Sequence, residues 1–199
     1  MDPRIPISLD IETSGLDPEK SFITCIGFAS NAGIHQSAIT QRTPEKVILE
    51  QFTNNSKILA DGAFFVTYNG RAFDYPFIIE RSKDESIKSI PQVDLEPFAR
   101  AMNGGIRISK DQWMTKYLNI YIPKLGSGAW LSQIYSAGNV SDDEHMEMLS
   151  HNALDLANTL RAFHACKRFP NFSSFVEAQL KDPTIFQKIQ DHKNEKKDE

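Results

Sequence analysis

The sequence predicts one α/β domain: a mixed five-stranded sheet flanked by helices, with an extra C-terminal helix. Three observations predict it. Five short runs, apolar or alternating, have the length and composition of strands. The first three are separated only by turns, whereas the last two alternate with stretches of helical periodicity. The 199 residues are 40% hydrophobic, which suits a single compact core.

The elements follow in order. Residues 5–11 (IPISLDI) read as a strand and SGLDPEK as a turn; residues 22–30 (FITCIGFAS) are a second apolar strand. NAG at 31–33 signals a turn, and residues 34–40 (IHQSAIT) alternate as a third strand, giving an antiparallel meander. Thr43-Pro44-Glu45 opens a helix, with Thr43 as N-cap, Pro44 in the first position, and Val47, Ile48, Leu49 and Phe52 on the buried face. Residues 64–68 (FFVTY) are apolar enough for a central strand. A helix is expected from about Ala72 to Arg81, a short strand at 92–95, and helices at 96–102, 109–118 and 129–136. Asp142 and Asp143 begin a long helix over 142–168, with Lys167 and Arg168 at its end, where the helix dipole favours cations. A last helix spans 173–190, and DHKNEKKDE reads as a solvated tail. The domain itself is placed at 1–170, with the C-terminal helix and tail at 171–199.

Composition narrows the function. The net charge of −4 and a pI near 5.8 argue against a broad basic surface for a polyanion, so any such ligand needs local positive charge or metal ions. Cys25 and Cys166 lie in apolar surroundings, read as buried reduced thiols rather than a disulfide scaffold. MDPRIP is no signal peptide and no apolar run is long enough to span a membrane. The expected location is cytoplasmic, with no membrane partner.

Strands disfavour acids, yet the first apolar strand carries Asp10 and Glu12, two residues apart and therefore on one side. Asp74 follows the central strand in YNGRAFDYPFI, and Asp155 lies on the long helix with His151 one turn before it. Strand ends and helix starts meet at one edge of such a sheet, where ligand crevices form. Four carboxylates gathered there would repel one another unless cations neutralised them, and hard oxygen ligands suit Mg2+ or Mn2+. Taken singly, each has a plainer reading. Asp10 and Glu12 could be solvated strand ends, Asp74 an acid in a first helical turn, and His151 a surface histidine paired with Asp155.

Together the segments resemble a known family. DIETSGLDP resembles the first motif of the DEDD superfamily of 3′–5′ exonucleases, NGRAFD the second and HNALD the third, in the expected order over residues 10–155. The nearest branch is that of predicted exonucleases related to the proofreading domain of family-B DNA polymerases. One departure stands out. His151 holds the spacing of the tyrosine-type branch (Y-x-x-x-D), and Ser150 stands where the histidine-type branch places its base.

The resemblance implies a ribonuclease H-like fold and a two-metal hydrolysis of phosphodiesters, with divalent ions about 4 Å apart. Asp10, Glu12 and Asp155 would bind the ion on the attacking side, Asp10 and Asp74 the second, and His151 would orient or deprotonate the water. Thr13, Gly15 and Leu16 would meet the terminal nucleotide, although Leu16 could also be core. Asn69 and Phe73 would touch the substrate strand, Phe73 having a core role as its alternative. Trp113 and Trp130 read as packing residues, KLGSGAW (124–130) as a loop near the cleft, and Asp94 as a helix cap rather than a ligand. His35, His145, His164 and His192 form no metal spacing. The expected partner is a nucleic-acid 3′ end, taken as single-stranded DNA, with a protein partner unspecified. RNA trimming is the alternative within the class. A catalytically silent binding module and a nucleotide phosphohydrolase are the rivals outside it.

Overall fold

The computed structural model describes residues 4–59, 62–123, 128–138 and 140–182. Five strands form one sheet in the order β3-β2-β1-β4-β5: β1 (Ile5–Thr13), β2 (Ile23–Ser30), β3 (Gly33–Ala38), β4 (Ala63–Thr67) and β5 (Gln92–Asp94). β1, β2 and β3 pair antiparallel, as the short turns between them require, whereas β4 and β5 join parallel through helical crossovers. This is the mixed sheet of a ribonuclease H-like fold.

The helices are α1 (Glu45–Leu59), α2 (Asp74–Ser82), α3 (Glu96–Met102), α4 (Lys110–Trp113), α5 (Gly128–Ala137), α6 (Asp142–Cys166) and α7 (Phe172–Lys181), with a 3-10 turn at Glu85–Ser89 and a π turn at Met114–Leu118. They cover both faces of the sheet. Ile7, Leu9 and Ile11 of β1 join Ile48 and Phe52 of α1 and Phe77 of α2 in one core. A second core gathers Phe64, Val66, Val93, Trp113, Phe163 and Phe172. β4 feeds both, Phe65 pointing into the first and Phe64 and Val66 into the second, and every residue of this interior strand, flanked by β1 and β5, is buried.

Several boundaries differ from the sequence reading. β1 extends to Thr13, carrying Glu12 inside the strand, and β3 stops at Ala38. α1 begins at Glu45, after Pro44. α2 begins at Asp74 rather than Ala72, because Ala72 and Phe73 both bond back to the Asn69 carbonyl in a separate turn. The helix expected over 109–118 is α-helical to Trp113 and then widens to a π turn ending on left-handed Asn119. α6 ends at Cys166, and its start carries a full capping box between Ser141 and Glu144. The loop expected at 124–130 is helical from Gly128, and residues 124–127 lie outside the described residues, as do the last part of the helix expected to 190 and the tail with His192. Cys25 and Cys166 are free and buried. No helix among the described residues is long and apolar enough to cross a membrane.

Candidate active site

Alternation along β1 sets the site. Ile7, Leu9 and Ile11 enter the core beneath α1 and α2, so Ser8, Asp10 and Glu12 face the other way, toward α6. The β1–β2 register slips between Glu12 and Thr13, a bulge where the strand leaves the sheet and turns. The β1–β4 pairing ends at Ser8 opposite Val66, which leaves the Ile11 amide without a strand partner. Asp74 takes that place, its Oδ1 accepting the Ile11 N–H at 3.2 Å. A buried carboxylate at the start of α2 is thereby tied to the strand that carries Asp10 and Glu12.

The turn before Asp74 is held by Asp94, at the end of β5. One of its oxygens accepts the Asn69 N–H at 2.7 Å and the Glu96 N–H at 3.0 Å, and the other accepts the Arg71 N–H at 3.1 Å. Asp94 therefore caps the entry to α3, as its position in sequence suggested, and also fixes the motif turn. Asn69 sits at the left-handed φ of 67° that this turn demands. Gly70 follows because a Cβ there would lie within 2.5 Å of the Thr67 side chain.

From the opposite side α6 presents His151 and Asp155. His151 Nδ1 is 3.0 Å from Glu12 Oε1 and 3.6 Å from Asp155 Oδ2. Ligand atoms of Glu12, His151 and Asp155 all lie within 4.8 Å of one another, close enough to share one metal ion. The sequence reading missed Lys110. This first residue of α4 reaches Asp155 Oδ1 at 2.6 Å with its stem buried. Ser109 caps its helix, and the Tyr68 hydroxyl donates to the Ile108 carbonyl at 2.6 Å just before it. A lone lysine in KDQW gives no sign in the sequence of such a partner.

The electrostatics are those of crowded acids. Burial, then the Asp155 charge, pushes the Asp10 carboxyl well above the ordinary range. Burial raises Asp74 to about 7, against the pull of its backbone hydrogen bonds. Burial would lower the Lys110 ammonium, but the charges of Asp155 and Asp10 outweigh it and its pKa rises. The hydrogen bond to Glu12 raises His151 in spite of its burial. Among the described residues one lysine and one histidine stand with four carboxylates, so acids outnumber bases there.

Thr13 ends β1, and Gly15 lies in the turn that follows. Thr13 closes the turn by donating its hydroxyl to the Gly15 carbonyl at 2.7 Å, and a Cβ on Gly15 would collide with Ser21 Oγ at 2.4 Å. Leu16 is 85% exposed, so it is no core residue. Phe73 packs on the first core, its ring 5.5 Å from that of Phe77. Trp113 is fully buried, and Trp130 lies on α5.

A sequence profile of the RNase H superfamily matches residues 7–118. The chain belongs to the RNase H superfamily. No curated protein sequence matches it. Among solved structures, the RNase H-like chain resembles the family B DNA polymerase from the hyperthermophilic archaeon Pyrobaculum calidifontis, with a TM-score of 0.60 and 15% identity over 88% of this chain. It spans only 27% of that polymerase. A structure described as the apo form of a nuclease matches with a TM-score of 0.51 and 18% identity, covering 90% of this chain and 86% of the other. The fold is thus the RNase H-like one, and within it Glu12, His151 and Asp155 come close enough together to hold a metal ion.

Proposed function

We propose that the chain is a metal-dependent 3′–5′ exonuclease that removes nucleotides from the 3′ end of a single strand. The observation that carries this reading is the convergence of Asp10, Glu12, Asp74 and Asp155 from three separate elements, with only Lys110 and His151 among the described residues to offset them. Such an arrangement is costly for a protein that does not bind cations. The donor set fits Mg2+ or Mn2+, being oxygen-rich and without thiolates. Asp10, Glu12 and Asp155 would hold the ion on the attacking side, and Asp10 with Asp74 the second. When bound, the two ions supply the charge that activates the attacking water and stabilises the leaving 3′ oxygen.

The chain's own groups do the rest. His151 donates from Nδ1 to Glu12, which leaves Nε2 as the nitrogen able to take a proton from the attacking water. Lys110 holds Asp155 and offsets part of the carboxylate repulsion. Leu16, exposed just after the Thr13–Gly15 turn, would pack against a terminal base. By the resemblance Asn69 and Phe73 would touch the substrate strand, although Phe73 packs on the first core. A site that grips its strand through metal-bound phosphate discriminates little by sugar, so the expectation of single-stranded DNA is widened here to DNA and RNA alike.

The test is an incubation with Mg2+ or Mn2+ of single-stranded DNA, single-stranded RNA, strands blocked by a 3′-phosphate, and free nucleoside triphosphates. Release of nucleoside 5′-monophosphates from the unblocked strands, abolished by EDTA, supports the proposal. Hydrolysis of free nucleotides without trimming marks a phosphohydrolase, and retention of oligonucleotides without cleavage marks a binding module.

A further inference from the structure

Asn152, next to His151 on α6, is fully buried against the sheet. Its Nδ2 donates to Asp10 Oδ2 at 2.9 Å and to the Asp10 carbonyl at 3.3 Å. Its Oδ1 accepts from Gln36 Nε2, on β3, at 2.9 Å, with the Cys25 thiol a weaker donor at 3.6 Å. Gln36 Nε2 places its second hydrogen on the Leu149 carbonyl at 2.8 Å.

The direction of this chain of amides is fixed by its ends. A backbone carbonyl only accepts, so the Gln36 nitrogen must face Leu149. That nitrogen only donates, so the Asn152 oxygen must face Gln36 and the Asn152 nitrogen must face Asp10. The sheet makes room for it. Gly27 lies opposite Asp10 in the β1–β2 register, and a Cβ on Gly27 would lie 2.2 Å from Asn152 Oδ1. The amide therefore sits over the Asp10–Gly27 pair with each polar atom satisfied.

We infer that Asn152, oriented by Gln36, is a positioning residue that holds the Asp10 carboxylate in its ligating rotamer by engaging one oxygen and leaving the other for a metal ion. The inference rests on the reading of Asp10 as a ligand. Unlike His151 and Lys110, Asn152 offers no charge and no proton acceptor to the reaction. What it contributes is preorganisation: Asp10 keeps its orientation before any cation arrives, in spite of three neighbouring carboxylates that repel it.

The measurement is Mn2+ affinity, read by electron paramagnetic resonance of the free ion during titration, with a thermal melt of each variant. Asn152→Leu keeps the volume and removes the donor; the loss expected is about 10- to 100-fold in affinity, the usual range for a residue that orients a ligand. Gln36→Leu, which touches no ligand, should weaken binding in the same direction by less. The double variant should match Asn152→Leu alone, since Gln36 acts only through Asn152. Folded Asn152→Leu with wild-type affinity, or losses that multiply in the double variant, would overturn the inference. Should Asn152→Leu fail to fold, Gln36→Leu decides, and wild-type affinity there overturns it. Separately, an Asp10→Asn variant that binds Mn2+ as the wild type does would sink the reading of Asp10 as a ligand, whatever Asn152 does.

Discussion

Asp74 carries the thermodynamic signature of this site. Its pKa in the folded protein is about 7, above the ordinary 3.8. Between those values the folded chain keeps a proton that the unfolded chain releases, so stability is greatest below the ordinary value and is lost as pH climbs through about 7. Asp10 shifts in the same direction. The raised His151 pKa adds to the trend, since the stability from its bond to Glu12 is present while the ring is protonated and lost as pH rises. In EDTA the protein should therefore melt at a lower temperature near pH ~8 than near pH ~5, by a difference on the order of a few kcal/mol, and Asp74→Asn should flatten the profile. A melting temperature that rises over this range would contradict the burial of uncompensated acids. In the proposed mechanism His151 has the complementary kinetic role, since its base form would be the active one. Its replacement by Ala should cost roughly a hundredfold in turnover, the usual size of a general-base contribution, with loss of the near-neutral limb of the pH profile. His151→Tyr should keep measurable activity, because the spacing to Asp155 is that of the tyrosine-type motif. Equal rates in wild type and His151→Ala would make the histidine a bystander.

Elements bring these residues together, and the contact with most leverage lies outside the cluster. Asp94 accepts three backbone amides and so joins the end of β5 to the turn that delivers Asp74. Asp94→Ala would leave those amides unpaired in a buried place, at a cost of about 2–4 kcal/mol in stability. Chemical denaturation should show that loss, with Mn2+ affinity falling as well because Asp74 is no longer anchored. An unchanged denaturation midpoint would mean that water replaces the carboxylate. The strands were legible as apolar or alternating runs bounded by turn residues, Asp10, Glu12 and Asp74 because they break the apolar pattern near strand and helix ends, and Asp155 because it stands one helical turn after His151. Lys110 and Asn152 were not, since what matters about them is a partner far away in sequence: Asp155 for the one, Asp10 and Gln36 for the other. The π turn after Trp113 was hidden for a similar reason. Burial of Trp113, Met114 and Leu118 shapes the chain there, and helical periodicity cannot distinguish it from a regular turn.

At the scale of the whole molecule, two features bear on substrate. α7 closes the sheet edge: the Gln179 side chain pairs with the Asp94 amide and carbonyl of β5 at 3.1 and 3.0 Å, and Phe172 is buried in the second core. The free strand edge on that side is thus covered rather than open to another chain. The net charge is −4, so the strand should be gripped near its 3′ end and by few phosphates beyond it. KM for a short oligonucleotide should then change by less than about tenfold between roughly 50 and 200 mM salt, where a protein contacting many phosphates loses far more. A steep salt dependence would reveal a basic track along the strand. The central claim, that the convergent carboxylates form a metal-dependent 3′–5′ exonuclease site, is tested most directly by digesting a 5′-labelled single strand with wild type and with Asp155→Asn. The account predicts a metal-dependent ladder that shortens one nucleotide at a time from the 3′ end with wild type, and an intact strand with a variant that still folds. Internal cuts, or a ladder of equal rate from the variant, would contradict it.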